Sequence, residues 1–173
     1  MSITEATKID VEKFHYLRGA LANGFAQVEF MLGDLIDRCR IFNEYDAFTQ
    51  TISHSATTRI RKVRRMLVVA GPLTLFAEPL TALLDRFVQT HDTRNLLTHG
   101  FAEYRPAKAG EGNVKFRKWH RTPEEADTLI CRTFTISELA TEKEQFGELT
   151  RDAYELFRSI HEQFGWTGSR DEP

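Results

Sequence analysis

Between Arg94 and His99 the chain reads Arg94-Asn95-Leu96-Leu97-Thr98-His99, which sets a guanidinium, a carboxamide and an imidazole close together. These groups suit phosphodiester chemistry. Attack of a hydroxyl on a phosphodiester needs a base for the hydroxyl proton, an acid for the departing oxygen and a cation against the charge of the phosphorane. An imidazole, with an ordinary pKa near about 6.5, exchanges protons at neutral pH, while a guanidinium stays charged and offers a planar fork of donors to phosphate oxygens. Asn95 stands four residues before His99, on the same face of a helix, where it can orient the ring or hold a phosphate. Arg94 and His99 are separated by about 140° around an ideal helix, so one chain does not readily aim both at one phosphate. If two copies crossed antiparallel about a two-fold axis, His99 of one could approach the partner's Arg94, and the site would be composite.

These residues interrupt a pattern. Leu80, Leu83, Leu84, Phe87 and Val88 form the apolar face of a helix that begins near Pro79, and the same register continues into His91, Arg94, Asn95, Thr98 and His99. Polar groups on a buried face must bond one another, lie at a subunit boundary or line a cleft that ligand reaches. The alternative is that the helix turns Leu96 and Leu97 inward and leaves its polar face in solvent. Auxiliary roles are open to His91, as a second proton-transfer group or RNA contact, to Asp92, which could fix the imidazole tautomer, and to Thr98 beside them. Glu29, on the flank of an earlier helix, could pair with Arg94 or serve the cleft. For His91, Asp92 and Glu29 an ordinary structural or solvated role is the default.

Arg94, a polar Asn95, three more residues, His99 and then Gly100 resemble the motif of the HEPN superfamily, Arg, four to six residues and His near a helix end. The resemblance extends to the order of elements: a long N-terminal helix containing FAQVEFMLGDLI, an intervening helical pair, a motif helix ending in His-Gly, a β insertion and a closing helix. It implies a metal-independent endoribonuclease that acts as a dimer, in a toxin, phage-defence or stress-response setting, with Arg94, Asn95 and His99 as the catalytic residues. It is also compatible with a non-catalytic module that binds nucleotide, RNA or a partner protein through the same cleft. A purely structural helical dimer is a third reading.

A net charge of -2 gives no global attraction for nucleic acid, so RNA binding must rest on local patches. Two segments supply positive charge. No acidic residue occurs between Ala47 and Ala77, whereas Arg59, Arg61, Lys62, Arg64 and Arg65 crowd one short helix; such a face could hold a phosphate backbone or an acidic antitoxin. In VKFRKWHR, alternation places Lys115, Arg117, Trp119 and Arg121 on one side of a strand, where Trp119 could stack a base between cations. Solvated surface residues would look the same.

The framework that must position these groups reads as mainly α: a HEPN-like bundle of four to five helices, with a small antiparallel hairpin or three-stranded flap at about 101–135. Phe14, Leu17, Leu21, Phe25, Val28, Leu32, Leu35 and Cys39 fall at helical spacing and mark a first helix of roughly 40 Å. Gly19, Gly24 and Gly33 each weaken it, so it needs packing partners. After a polar stretch from Asn43 to Ser55 with room for a short helix, Ile60, Val63, Leu67 and Ala70 mark a second helix stopped by Gly71-Pro72, and Gly100 suits a left-handed position closing the third. FAEYR, NVKFRKWHR and TLICRTFT read as strands separated by turns at AKAGEG and TPEEAD. Thr135 and Glu138 form a capping-box pattern opening the last helix, with Leu139, Phe146, Leu149, Tyr154, Phe157, Ile160 and Phe164 as its apolar residues.

With 173 residues, 41% of them hydrophobic, the sequence fits one domain over 1–164 and a frayed tail over 165–173. Met66–Ala70 is far short of the roughly 18 apolar residues a membrane span needs and the N-terminus has no apolar signal core, so a cytoplasmic protein is expected. Cys39 and Cys131 form no CxxC pair and are expected as reduced thiols. The lone ExxH at Glu12–His15, and the lack of HExxH, Walker, GxGxxG and GxSxG patterns, indicate no metal and no cofactor.

Overall fold

The computed structural model describes residues 5–107, 110–120 and 127–166. Among them are six α-helices, α1 (Glu5–Arg38), α2 (Asp46–Thr49), α3 (Ala56–Leu67), α4 (Ala77–Gln89), α5 (His91–His99) and α6 (Ile136–Phe164), and three strands, β1 (Phe101–Arg105), β2 (Asn113–His120) and β3 (Thr128–Thr135). The chain is thus mainly α, with a three-stranded antiparallel sheet of order β1-β2-β3 between α5 and the last helix. No single helix among the described residues is long and apolar enough to cross a membrane. Two compact units are present, one drawn from Met1–Phe25 and Thr90–Glu148, the other from Ala26–Gln89 and Leu149–Pro173.

In the first unit, the early part of α1, α5, the sheet and the start of α6 share a core. Phe116 meets Phe14 and Phe134 edge-on at centroid separations of 6.0 and 5.8 Å, and Phe25 lies 4.1 Å from Phe146. Each such buried ring contributes roughly 1.5–3 kcal/mol over an exposed one. The capping box forms as its residues require: Thr135 Oγ1 accepts from the Glu138 amide (3.0 Å) and Glu138 Oε2 from the Thr135 amide (2.7 Å).

In the second unit, Ile60, Val63 and Met66 of α3 and Leu80, Leu83, Leu84 and Phe87 of α4 are buried, as are Leu149, Ala153, Phe157 and Ile160 of α6. The Tyr45 hydroxyl accepts the Leu73 amide at 2.9 Å, satisfying a donor inside an apolar setting. Ser55 caps α3 by accepting from the Thr58 amide at 3.4 Å. All eight residues of the α1 stripe are buried, and Cys39 sits in a 3₁₀ turn just past the helix.

Several expectations are corrected. The third helix is two helices: Thr90, at φ -84° and ψ -6°, separates α4 from α5 and breaks the register. With the short helix α2, which falls in the polar stretch that had room for one, this raises the count above four to five. Helix α3 ends at Leu67, before Ala70, where the Val68 and Val69 amides reach back three residues to Arg65 and Met66; Pro72 disfavours helix at the preceding residue and then opens a 3₁₀ turn. Gly100 is extended, at φ -78° and ψ 142°, so left-handed geometry is not its reason. A side chain there would overlap the Leu96 carbonyl oxygen, which accepts the Gly100 amide at 2.8 Å. Tyr154 and Val88 are exposed, because α6 turns Ala153 inward and the break at Thr90 removes the need to bury the end of α4. Residues 167–173 of the expected tail, 108–109 and 122–126 of the expected turns, and Arg121 lie outside the described residues.

His161 on α6 lies with Nε2 3.2 Å from Asp34 Oδ2. Burial, and then the Arg38 charge, hold its pKa below the ordinary value, against the pull of Asp34. The folded state therefore binds fewer protons than the unfolded one, and this contribution is complete above the unfolded histidine value of about 6.5 and lost as pH falls below it. Urea midpoints should fall between pH 7 and pH 5, and more steeply in the natural chain than in His161→Gln; equal slopes would remove His161 from the pH response.

Candidate active site

Helix α5 is fixed by its two leucines. Leu96 and Leu97 are 5% and 0% exposed, so the helix turns them inward, but it does not leave its whole polar face in solvent. His91, Arg94, Asn95 and Thr98 are half-buried, and Asp92 and His99 are exposed. The physical reason is direct: after the break at Thr90 the helix is free to bury two leucines instead of an amide and an imidazole.

Arg94 Nη1 donates to Asn95 Oδ1 at 2.8 Å, so two of the three motif residues brace each other at the edge of this face. The Thr98 hydroxyl donates to the Arg94 carbonyl at 2.8 Å, which assigns it to the helix backbone. Asp92 sits in the first turn, where a carboxylate complements the helix N-terminus, and Thr93 Oγ1 accepts from Arg132 Nη1 at 3.0 Å. His99 closes the helix, two residues before β1.

Sequence reasoning missed the residue that holds this end of the helix. Arg18 of α1 donates from Nε to the Leu97 carbonyl (2.7 Å) and from Nη2 to the Gly100 carbonyl (3.1 Å), with its guanidinium 5.8 Å from the Phe116 ring centroid. It satisfies carbonyls that the helix C-terminus leaves open and adds a cation where the helix dipole favours one. One signal was available: apart from the titratable His15, Arg18 is the only charged residue between Lys13 and Glu29. Asp10 was missed as well. Its Oδ2 accepts from the Tyr104 hydroxyl (2.7 Å) and the Gly112 amide (3.2 Å), tying α1 to the sheet. Burial and this acceptor push the Tyr104 phenol up to about 12.

A groove of about 280 Å³ lies between β3 and the start of α6, lined in part by Arg132, Phe134, Glu138 and Glu142. Its Arg132–Glu142 pair, 3.6 Å apart, occupies the polar side. No cluster of three or more His, Cys, Asp or Glu among the described residues is placed to hold a metal ion.

Glu29 and the cations of α3 belong to the second unit. Arg59 donates to the Ser53 and Glu29 carbonyls (2.6 and 2.7 Å) and lays its guanidinium 3.5 Å from where a Gly33 side chain would begin. Lys62 Nζ bonds Thr51, Arg64 pairs with Asp85 at 2.5 Å, and Arg65 lies 5.1 Å from the Phe48 ring centroid. Arg61 is exposed, with a 3.4 Å contact to Thr58 Oγ1. Four of the five thus hold the protein's own structure, as a run of cations beside carbonyls and carboxylates tends to do.

Both cysteines are free thiols, Cys39 buried and Cys131 exposed. Burial pushes the Cys39 thiol up to about 12, which withholds its reactive thiolate. Alkylation at neutral pH should therefore modify one thiol in the folded chain and both after denaturation; two rapid equivalents in the folded chain would show that the end of α1 opens.

No family model, curated protein or solved structure matches the chain.

Proposed function

We propose that this chain is a HEPN-like, metal-independent endoribonuclease that works as a homodimer, with Arg94, Asn95 and His99 at the site. The observation that carries the reading is the surface of α5: a helix anchored by Leu96, Leu97 and Arg18 presents Arg94 braced on Asn95, with an exposed histidine at its end. In the proposed reaction His99 takes the 2′-OH proton as O2′ forms a bond to phosphorus. The bond from phosphorus to the 5′-oxygen breaks, and that oxygen receives a proton from the partner's His99. Arg94 donates to the non-bridging oxygens as charge builds on them. The products are a 2′,3′-cyclic phosphate and a 5′-hydroxyl.

A single-stranded or structured RNA such as tRNA is the proposed substrate, and a toxin or defence effector, masked by an acidic partner, the proposed setting. The test is RNA cleavage in excess EDTA by the natural chain, His99→Ala and Arg94→Ala, with 3′-end chemistry and oligomeric state recorded. Retained RNA affinity without cleavage would favour the binding module, and cleavage by a monomer would sink the composite site.

A further inference from the structure

Strand pairing sorts the sheet's side chains onto two faces. Val114, Phe116 and Phe134 are buried on one. On the other, Phe101 stands opposite Arg117 and Arg117 opposite Cys131, while Glu103 stands opposite Lys115, and Trp119 opposite Leu129. This second face is open to solvent: Phe101 is 65%, Trp119 68% and Leu129 45% exposed. Two large aromatic rings in water on one small sheet are a feature to be explained.

The charges around the rings are equally one-sided. Arg105, Lys115 and Arg117 face a single carboxylate, Glu103. Glu103 accepts from Arg105 Nε at 3.3 Å and from Arg117 Nη2, and the hydrogen bond from Arg105 leads in holding its carboxyl below the usual range. It braces both guanidiniums on the face. Arg117 lies 5.4 Å from the Phe101 ring centroid, so a cation and an aromatic surface are already paired. Phe101 follows His99 by two residues and β2 packs against α5. The register that pairs Phe101 with Arg117 carries Trp119 past the start of β1, towards the junction with the motif helix.

We propose that this face is a base-stacking platform for single-stranded RNA, in which Phe101 and Trp119 take bases and Arg105, Lys115 and Arg117 take phosphates. Phe101 and Trp119 are diagonal neighbours, roughly 7–8 Å apart at the backbone, a spacing that suits two splayed nucleotides. A duplex offers no free base faces, and a second copy of the same net-positive face would be repelled, which leaves an unpaired polyanion as the occupant. The proposal rests on the ribonuclease reading only in placing the bound nucleotides beside the bond presented to His99.

A labelled 2′-O-methyl oligouridylate, which lacks the attacking hydroxyl, measures binding by anisotropy independently of cleavage. Trp119→Ala and Phe101→Ala should each weaken it about tenfold, and Trp119→Phe should keep most of the affinity. Affinity should fall with salt, less steeply in Arg117→Ala. The oligonucleotide should also protect Cys131 from alkylation in the natural chain. Absent binding, unchanged affinity in both alanine variants or an unprotected Cys131 overturns the platform. So does a loss of dimer in those variants with affinity unchanged, which would assign the face to self-association. Platform binding without RNA cleavage would overturn the ribonuclease reading alone, and cleavage with undiminished affinity in both variants the platform alone.

Discussion

His99→Ala should slow RNA cleavage by about 10²–10⁴-fold, the range that a positioned proton-transfer group supplies, while leaving stability within about 0.5 kcal/mol. The two expectations belong together because His99 is exposed. Its removal leaves no cavity and strands no buried partner, so a large rate effect beside an unchanged melting temperature separates a chemical role from a structural one. Arg94→Lys should lose rate while keeping the charge, since an ammonium cannot reproduce a planar fork of donors that Asn95 braces. The measurement is single-turnover cleavage in EDTA beside thermal melts of each variant. A melting temperature that collapses in His99→Ala would place the histidine in the framework instead.

Arg18→Ala should cost about 2–3 kcal/mol of stability, because two charge-assisted hydrogen bonds to carbonyls at the end of α5 are lost together with packing over Phe116. It should also slow cleavage, although Arg18 is a positioning residue: the carbonyls it holds flank His99 on both sides. Arg18→Lys keeps the charge but cannot reach both carbonyls with one planar group, so it should fall between the two in denaturant midpoint and in rate. An Arg18→Ala chain with unchanged midpoint and unchanged cleavage would show the clamp to be idle.

Much of the framework was legible because the signals are local. The α1 stripe repeats at helical spacing and is buried at all eight positions. Thr135 and Glu138 stand at the separation at which each side chain reaches the other's amide, and the alternation in NVKFRKWH matches a strand with Val114 and Phe116 inward. The cationic segment of α3 was visible too, yet its partners were not: Arg59 is held by carbonyls of Ser53 and Glu29, and Arg64 by Asp85.

The sequence by itself determined the order of helical and strand segments and which residue types stand on α5, since spacing, capping and turn chemistry act over a few residues; the break at Thr90 and the end of α3 at Leu67 were not among what it fixed. Tertiary structure alone decided which way α5 faces. A helix register survives only while burying its face is favourable, and at Thr90 the competition between burying Leu96 and Leu97 and burying Asn95 and His99 is settled by the core they pack into. It likewise decided that Arg18 and Asp10 serve α5 and the sheet, because those hydrogen bonds close loops of dozens of residues and leave no trace in local pattern.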